Sequence, residues 1–378
     1  MAISGQSQPF VQTLGGLIID KETKAPLAGV SVFVSNTSPV IGTITNSNGE
    51  YILSKVPLGR QNLQFSFIGY KTQFISNIEV ISGKENIINV ALEETVIAIA
   101  EVSIVGHKNR TVAMNQMSSI SARTFSVEET GRYAGSRNDV SRMASNYAGV
   151  TNGNDSRNDI VIRGNSPMGL LWKLDELEIP SPNHFTGVGS SGGPVSMLNY
   201  NVIANSDFMT GAFPAEYGNA SSGVFDIKLR NGNNRKHEYM FQIGALGTEL
   251  MLEGPFSKNY KGSFLINYRF STTTIMTAMG IKFGYSGEAD YQDLAFNFYL
   301  PLNDKITLSL FGMGGRSVYK ALYINKKEAD FGPDGYLNTN NFYNSGTSVG
   351  GASMTYRISN SSYLKAIVGF TGVNEGGK

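Results

Sequence analysis

The sequence predicts a mainly β chain. It would begin with an N-terminal β-sandwich, continue into a mixed α/β domain, and end in the first strands of an incomplete transmembrane antiparallel β-barrel. Three observations predict this. Apolar and polar residues alternate in short stretches, turn residues recur between them, and only 16% of the 378 residues are charged, against about 25% in ordinary soluble domains. The 43 glycines, 18 tyrosines and 21 phenylalanines suit outer-membrane β-proteins and also secreted β-rich adhesins.

Composition and charge argue against several classes of function. The 31 Lys and Arg residues balance 30 Asp and Glu residues, so no electrostatic case exists for a nucleic-acid partner. The lack of cysteine removes disulfides, thiolate nucleophiles and cysteine-ligated zinc. His107, His184 and His237 fall in no metal-binding spacing. Because the sequence also lacks a nucleophile elbow and a recognisable carboxylate pair, we predict no metal, no cofactor and no enzymatic activity.

Signals for export and membrane insertion are indirect. No apolar run reaches the roughly 18 residues that a membrane helix needs. Residues 1–6 lack the basic and apolar regions of a signal peptide. Because the downstream sequence is typical of an exported protein, we expect that a signal peptide has been removed.

Residues 12–93 contain several short alternating stretches separated by turns, which predicts a small β-sandwich. Asn46-Ser47-Asn48-Gly49 is a strong hairpin signal within it. Five segments resemble the carboxypeptidase-regulatory-like (transthyretin-like) sandwich: Pro26–Val30, Gly42–Thr45, Asn48–Tyr51, Val56–Gly59 and Ile68–Tyr70. The resemblance implies turn and core roles for these residues and brings no peptidase activity with it.

Residues 113–232 are predicted to form a mixed α/β domain. Ser136 to Asp139 has the spacing of a helix start. A helical face follows, and Gly149 is expected to end the helix; the face consists of Val140, Met143, Ala144 and Tyr147. Strands are predicted at Asp159–Arg163, at Leu170–Ile179 with a turn at Asp175-Glu176, and at Phe225–Leu229.

Two stretches of this domain carry a family resemblance. Ile160-Val161-Ile162-Arg163-Gly164 and the segment Ala215–Arg230 resemble a strand and the closing hairpin of the plug domain in SusC-like TonB-dependent outer-membrane receptors. The resemblance implies that Arg163, Gly164 and Glu216 contact the barrel, Arg163 through a buried ion pair with carboxylates of the barrel wall. A solvated charge at a strand end is the alternative for Arg163.

Residues 94–112 form a linker between the sandwich and the plug. The tract Glu101-Val102-Ser103-Ile104-Val105-Gly106 is similar to a Glu-Val-Val-Val-Gly-like tract of SusC-like receptors, with Ser103 as a departure. The resemblance implies a TonB box, which pairs by β-strand addition with a TonB-type periplasmic energising protein. A last sandwich strand or a buried linker is the alternative.

A loop rich in Pro, Gly and Ser covers residues 180–194 and contains Asn183, His184 and Phe185. Loops of this length in compact domains are often functional. In a plug this loop would lie near the apex, where the three side chains would face a ligand. A turn-rich connector or a buried loop anchor is the alternative.

Residues 233–378 alternate in the manner of membrane β-strands, with one apolar face and one small or polar face. The alternating stretches are residues 239–245, 263–270, 294–300 and 306–310, with weaker candidates at 349–358 and 363–370. In the first stretch, Tyr239, Phe241 and Ile243 share one face. We expect six to eight strands, with a short turn at Leu302–Asp304 and a long outer loop over Asn325–Asn344. A plugged transporter needs about 22 strands. We therefore expect the chain to be the N-terminal portion of a longer receptor.

The resemblance implies an outer-membrane TonB-dependent receptor of a Gram-negative bacterium, with its sandwich in the periplasm and with uptake driven by energy-coupled displacement of the plug. Its partners would be a TonB-type protein, outer-membrane lipid and an unknown small ligand such as a glycan, a peptide or a chelate. A SusD-like lipoprotein lid is an open addition. Two alternatives come from other classes: a water-soluble β-rich surface adhesin, and a signalling or secretion-associated plug–barrel protein that imports nothing.

Overall fold

The computed structural model describes residues 10–35, 37–95, 122–125, 139–152, 157–187, 191–244, 247–271, 287–321, 341–359 and 362–377. The predicted fold class is confirmed, because strands dominate these ranges. The chain divides into two compact units, the first built around the sandwich. Within the described ranges, no helix has both the length and the apolar character needed to cross a bilayer.

The sandwich consists of two four-stranded sheets. Its strands are β1 (Val11–Asp20), β2 (Ser31–Val34), β3 (Gly42–Ile44), β4 (Glu50–Pro57), β5 (Gly59–Ser66), β6 (Gln73–Val80), β7 (Asn86–Ile87) and β8 (Val90–Leu92). One sheet has the order β4-β1-β7, with β8 also paired to β1, and the other has the order β3-β2-β5-β6. Residues from 14 to 92 supply the whole buried core, so this segment has the apolar interior of an independent fold.

The predicted hairpin at Asn46–Gly49 is wrong in its strand pairing. The turn itself is present, since the Gly49 N–H donates to the Asn46 carbonyl at 2.9 Å and Gly49 has φ of 74°. However, the flanking strands β3 and β4 belong to different sheets. The turn packs on β1, where the Ile18 N–H donates to the Gly49 carbonyl at 2.8 Å. At this turn the chain passes from the sheet that contains β3 to the sheet that contains β4.

The second unit begins with β9 (Ala122–Phe125) and the short helix α1 (Val140–Ala144). Asp139 caps α1, because its side chain accepts from the Ser141 N–H at 2.8 Å. Val140, Met143 and Ala144 of the predicted face are buried, whereas Tyr147 is partly buried and lies beyond the helix. The prediction that Gly149 ends the helix is wrong, because the helix ends at Ala144, although Gly149 has φ of 80°. Ser136 lies outside the described residues.

Eight further strands and a 3₁₀ turn, Pro167–Gly169, complete this part of the unit. The strands are β10 (Val150–Asn152), β11 (Ile160–Ile162), β12 (Leu170–Leu174), β13 (Leu177–Ile179), β14 (Asn183–His184), β15 (Val195–Ser196), β16 (Ser206–Met209) and β17 (Gly223–Ile227). A five-stranded sheet has the order β13-β12-β17-β16-β9. The predicted turn at Asp175-Glu176 is confirmed, since both residues have positive φ between paired β12 and β13. Trp172 stacks on Phe225 at the centre of the sheet, with ring centroids 4.3 Å apart.

A seven-stranded sheet follows, with its strands in sequence order. They are β18 (Glu238–Ile243), β19 (Thr248–Pro255), β20 (Ser263–Phe270), β21 (Gly287–Pro301), β22 (Ile306–Ala321), β23 (Asn341–Arg357) and β24 (Tyr363–Gly377). Strands β18 to β21 pair in antiparallel fashion. The predicted number of six to eight strands is confirmed. Strand β19 was not predicted, because Glu249 and Glu253 are typical of a solvated polar segment. Both side chains are nevertheless buried.

Candidate functional site

The seven-stranded sheet has one apolar and one polar face, which its register makes explicit. Phe241, Leu250, Tyr268 and Leu294 are successive cross-strand neighbours, each between 37% and 64% exposed. The adjacent row carries Gln242, Glu249, Arg269 and Asp293. Since side chains alternate between the two faces of a strand, these charged residues share the opposite face, which the preceding domain covers.

The hairpin β14–β15 is anchored to this polar face through His184. The His184 Nε2 atom lies 2.8 Å from Asp293 Oδ2, and Nδ1 lies 3.3 Å from Ser317 Oγ. The His184 ring and both of its partners are buried. The Phe185 N–H also donates to Ser317 Oγ, at 2.9 Å. A neutral imidazole that donates from Nε2 to the carboxylate and accepts at Nδ1 satisfies both contacts.

Burial lowers the pKa of His184, and the neighbouring Asp293 carboxylate opposes this shift without reversing it. The imidazole is therefore neutral near pH 7. Gly315 permits the close approach of the hairpin, because a Cβ there would overlap the His184 ring at 2.6 Å and the Met197 sulfur at 2.7 Å.

Arg269 completes the charge balance at the same carboxylate. Its Nε and Nη2 atoms donate to Asp293 Oδ2 at 3.0 and 2.8 Å. It also donates to the carbonyl oxygen of Ser196 in β15. The hairpin is thus held at both strands, one through His184 and the other through Arg269. The Asp293 carboxylate therefore accepts hydrogen bonds from both the hairpin and the sheet.

A second ion pair lies beyond β17. Arg230 binds Glu253 in bidentate fashion, with Nη1–Oε2 and Nη2–Oε1 distances of 2.7 Å each. Glu253 is 1% exposed and also accepts from the Asn233 N–H at 2.9 Å. The Arg230 carbonyl accepts from Asn297 Nδ2 at 3.0 Å. The segment that follows β17 is therefore fixed to β19 and β21 through the side chain and the backbone of Arg230.

Amide side chains make the third set of contacts, around Glu249. Asn201 and Asn267 donate to Glu249 Oε1 at 3.0 and 2.6 Å. Asn199 donates to Asn267 Oδ1 at 3.4 Å. The buried carboxylate is compensated here by neutral donors from both the covering domain and the sheet.

Asn158 supports the hairpin from inside the domain and is 1% exposed. Its Nδ2 atom donates to Asp139 Oδ2 at 2.8 Å and to Asn183 Oδ1 at 2.6 Å. Its Oδ1 atom accepts from the Gly193 N–H at 2.8 Å. This one amide ties the cap of α1 to both ends of the 183–193 segment.

The predicted site residues fall into three groups. Asn183 and His184 are buried, at 2% and 1% exposure, as the buried-anchor interpretation requires, whereas Phe185 is partly exposed. Arg163, Gly164 and Glu216 lie in exposed segments, and their contact with a barrel wall stays a prediction. The tract from Glu101 to Val105 lies outside the described residues.

Local sequence patterns do not assign a functional role to Arg230, Glu253, Arg269, Asp293 or Ser317. A signal for the charged ones exists, because a charge within an apolar-alternating strand is expensive unless it faces a polar partner. No feature of the sequence identifies the residue with which each charged side chain pairs. In the described part of the chain, no group of three or more acidic or histidine side chains has the geometry of a metal site.

Comparison with known proteins gives the family context. Residues 14–121 match the family described as CarboxypepD_reg-like domain. Over 259 residues, or 66% of the chain, the sequence is 25% identical to the TonB-dependent transporter Oar of Myxococcus xanthus. The chain is therefore similar in sequence to a TonB-dependent transporter, and the resemblance that the motifs predicted is confirmed. It spans 23% of the length of this curated relative.

Two solved structures also resemble the chain. The siderophore receptor PirA of Pseudomonas aeruginosa is 14% identical, with 68% of this chain and 41% of PirA covered and a TM-score of 0.45. The outer membrane transporter YddB of Escherichia coli is 13% identical, with 68% of this chain and 39% of YddB covered and a TM-score of 0.47.

Proposed function

We propose that this chain acts in an outer-membrane TonB-dependent receptor, in which residues 113–232 are a plug and the seven-stranded sheet is part of the surrounding barrel. The observation that carries the proposal is the two-faced sheet. Its polar face is neutralised by the covering domain through His184, Arg230 and the Asn201 amide, while its opposite face exposes a continuous set of large apolar side chains. An apolar face of this extent favours lipid over water.

The mechanism follows from this arrangement. A small ligand, whether a glycan, a peptide or a chelate, binds above the plug, and a TonB-type protein in the periplasm pulls on residues 101–105. Force on the plug must then break the contacts of β14, β15 and Arg230 with the sheet. The ion pairs have directional geometry, so they rupture over short displacements and leave a path past the sheet. The sandwich at residues 12–93 lies in the periplasm in this proposal.

Membrane insertion is tested on the full-length gene product by outer-membrane fractionation and by gel mobility with and without heating. A heat-modifiable species in the outer-membrane fraction supports the proposal. A soluble species with heat-independent mobility contradicts it and favours the adhesin.

Energy coupling is tested at the TonB box with Ile104→Pro, which removes a backbone N–H that β-addition requires. We expect the variant to insert normally but to lose capture of the periplasmic domain of a TonB-type protein. The matched control is Ile104→Val, which keeps the N–H and should bind as the wild type does. Equal capture by both variants would mean that this tract is not the TonB box. Co-purification of a lipoprotein in the same preparation tests for a SusD-like lid.

A further inference from the structure

A cavity of about 330 Å³ lies beside the β14–β15 hairpin. Its described lining consists of Phe185, Pro194, Ala289, Tyr319 and Tyr343. Ligand pockets in proteins occupy roughly 300–1,000 Å³, so this volume lies at the lower end of the range for ligand binding. The lining comes from the hairpin region of the plug and from three strands of the sheet, β21, β22 and β23.

The backbone at Phe185 is held in an unfavourable conformation, with φ of 57°. Bulky residues rarely adopt left-handed backbone angles, and such strain concentrates at functional positions. The contacts that maintain it are the Phe185 N–H to Ser317 Oγ and the His184 ring to Asp293. The polar anchor of the hairpin therefore also fixes the position of the Phe185 ring at the cavity.

We infer that this cavity binds an uncharged, ring-bearing or otherwise apolar group of the ligand, such as the hydrophobic side chain of a peptide; this rests on the proposed function. Among the described residues that line the cavity, three are aromatic, one is proline and one is alanine. Aromatic walls favour the faces and edges of other rings.

Other ligand chemistries fit the cavity less well. A charged group entering it would lose hydration and would find no ion partner among the five described lining side chains, and the Glu375 carboxylate, which is hydrogen-bonded to Tyr343, would repel an anion. A sugar presents several hydroxyl groups, whereas the side chains of this lining offer two phenolic hydroxyls, those of Tyr319 and Tyr343. The cavity therefore selects the apolar part of a ligand, and a peptide is the ligand class whose parts are of this size and character.

The test uses the full-length receptor in lipid nanodiscs, because detergent would compete for an apolar cavity. The probes are the blocked tripeptides Gly-Trp-Gly and Gly-Lys-Gly and the disaccharide maltose, with binding followed by saturation-transfer NMR and calorimetry. We expect saturable binding of Gly-Trp-Gly and at least tenfold weaker binding of the other two.

Two cavity variants, Phe185→Ala and Tyr319→Ala, should each weaken Gly-Trp-Gly at least tenfold. The matched control is Phe342→Ala, which removes an exposed ring from the residue beside Tyr343 on β23 and should leave binding unchanged. Heat-modifiable mobility of each sample reports insertion separately. Three results in an inserted receptor would overturn this inference alone. They are no binding of Gly-Trp-Gly, equally strong binding of the lysine peptide or maltose, and unchanged binding by the cavity variants. Failure to insert would overturn the proposed function with it.

Discussion

Arg230 and Glu253 form a bidentate ion pair, with both N–O distances at 2.7 Å. They are 23 residues apart and belong to different layers, since Arg230 follows β17 of the five-stranded sheet and Glu253 lies in β19 of the seven-stranded sheet. Glu253 is 1% exposed. The pair therefore ties the segment after β17 to the seven-stranded sheet.

Removal of Arg230 should destabilise the protein strongly. Arg230→Met leaves the Glu253 carboxylate buried without its cation, and breaking a buried pair in this way costs about 3–5 kcal/mol. The measurement is the temperature at which unheated receptor loses its compact gel mobility in lipid vesicles. Arg230→Lys keeps the positive charge but loses the bidentate geometry of the guanidinium. Its midpoint temperature should therefore lie between those of the wild type and Arg230→Met. An unchanged midpoint for Arg230→Met would show that the pair contributes little.

His184 should make stability depend on pH. Burial depresses its pKa below the ordinary value of about 6.5, and contact with Asp293 only partly opposes this. At pH values between the pKa of His184 in the folded protein and its pKa in the unfolded chain, the unfolded chain binds more protons. The contribution of His184 to the free energy of unfolding is therefore fully present above about pH 6.5, and it is lost as the pH falls toward the pKa of the folded state.

This dependence is measured by denaturant unfolding of the receptor in lipid vesicles from pH 8 to pH 5. His184→Gln keeps a donor for Asp293 and should have a flatter profile than the wild type. His237 is exposed, and His237→Gln is the matched control that should retain the wild-type slope. Parallel profiles for all three proteins would exclude His184 as the source.

Leu250 tests which solvent the apolar face meets. The side chain is 44% exposed on β19. In the proposed membrane setting, Leu250→Arg costs about 2–4 kcal/mol near the bilayer midplane, whereas on a water-exposed surface it would be near neutral. Unfolding from lipid vesicles measures the difference. The control is Val40→Arg at a 74% exposed sandwich position, which should change stability by less than about 0.5 kcal/mol.

Gly49 should be required for the crossing turn of the sandwich. Gly49→Ala strains a left-handed residue, which costs about 1–2 kcal/mol, and its Cβ would overlap the Ile18 carbonyl. Gly59 also has a positive φ, but a Cβ there meets nothing within 4 Å, so Gly59→Ala carries the backbone cost alone. Urea unfolding of the isolated segment 10–95 compares the two. A loss in Gly49→Ala no larger than in Gly59→Ala would contradict the overlap.

Local patterns in the sequence predicted much of the fold. Period-two alternation placed Tyr239, Phe241 and Ile243 on one face, and all three are more than 60% exposed. The Asp175-Glu176 turn and the buried face of α1 also follow from neighbouring residues alone. Strand β19 escaped prediction because its inward acids, Glu249 and Glu253, resemble a solvated segment until their partners are known.

The candidate site depended on contacts that local patterns cannot encode. His184 and Asp293 are 109 residues apart, and Arg269 reaches Asp293 only through the register of β20 with β21. By itself, the sequence determined where most strands and turns fall, which faces are apolar and which family the motifs resemble, because those properties depend on near neighbours. The tertiary structure decided that His184 is an anchor, that Arg230 binds Glu253, and that Phe185 borders a cavity. A buried charge or ring takes its role from the groups that long-range folding brings against it.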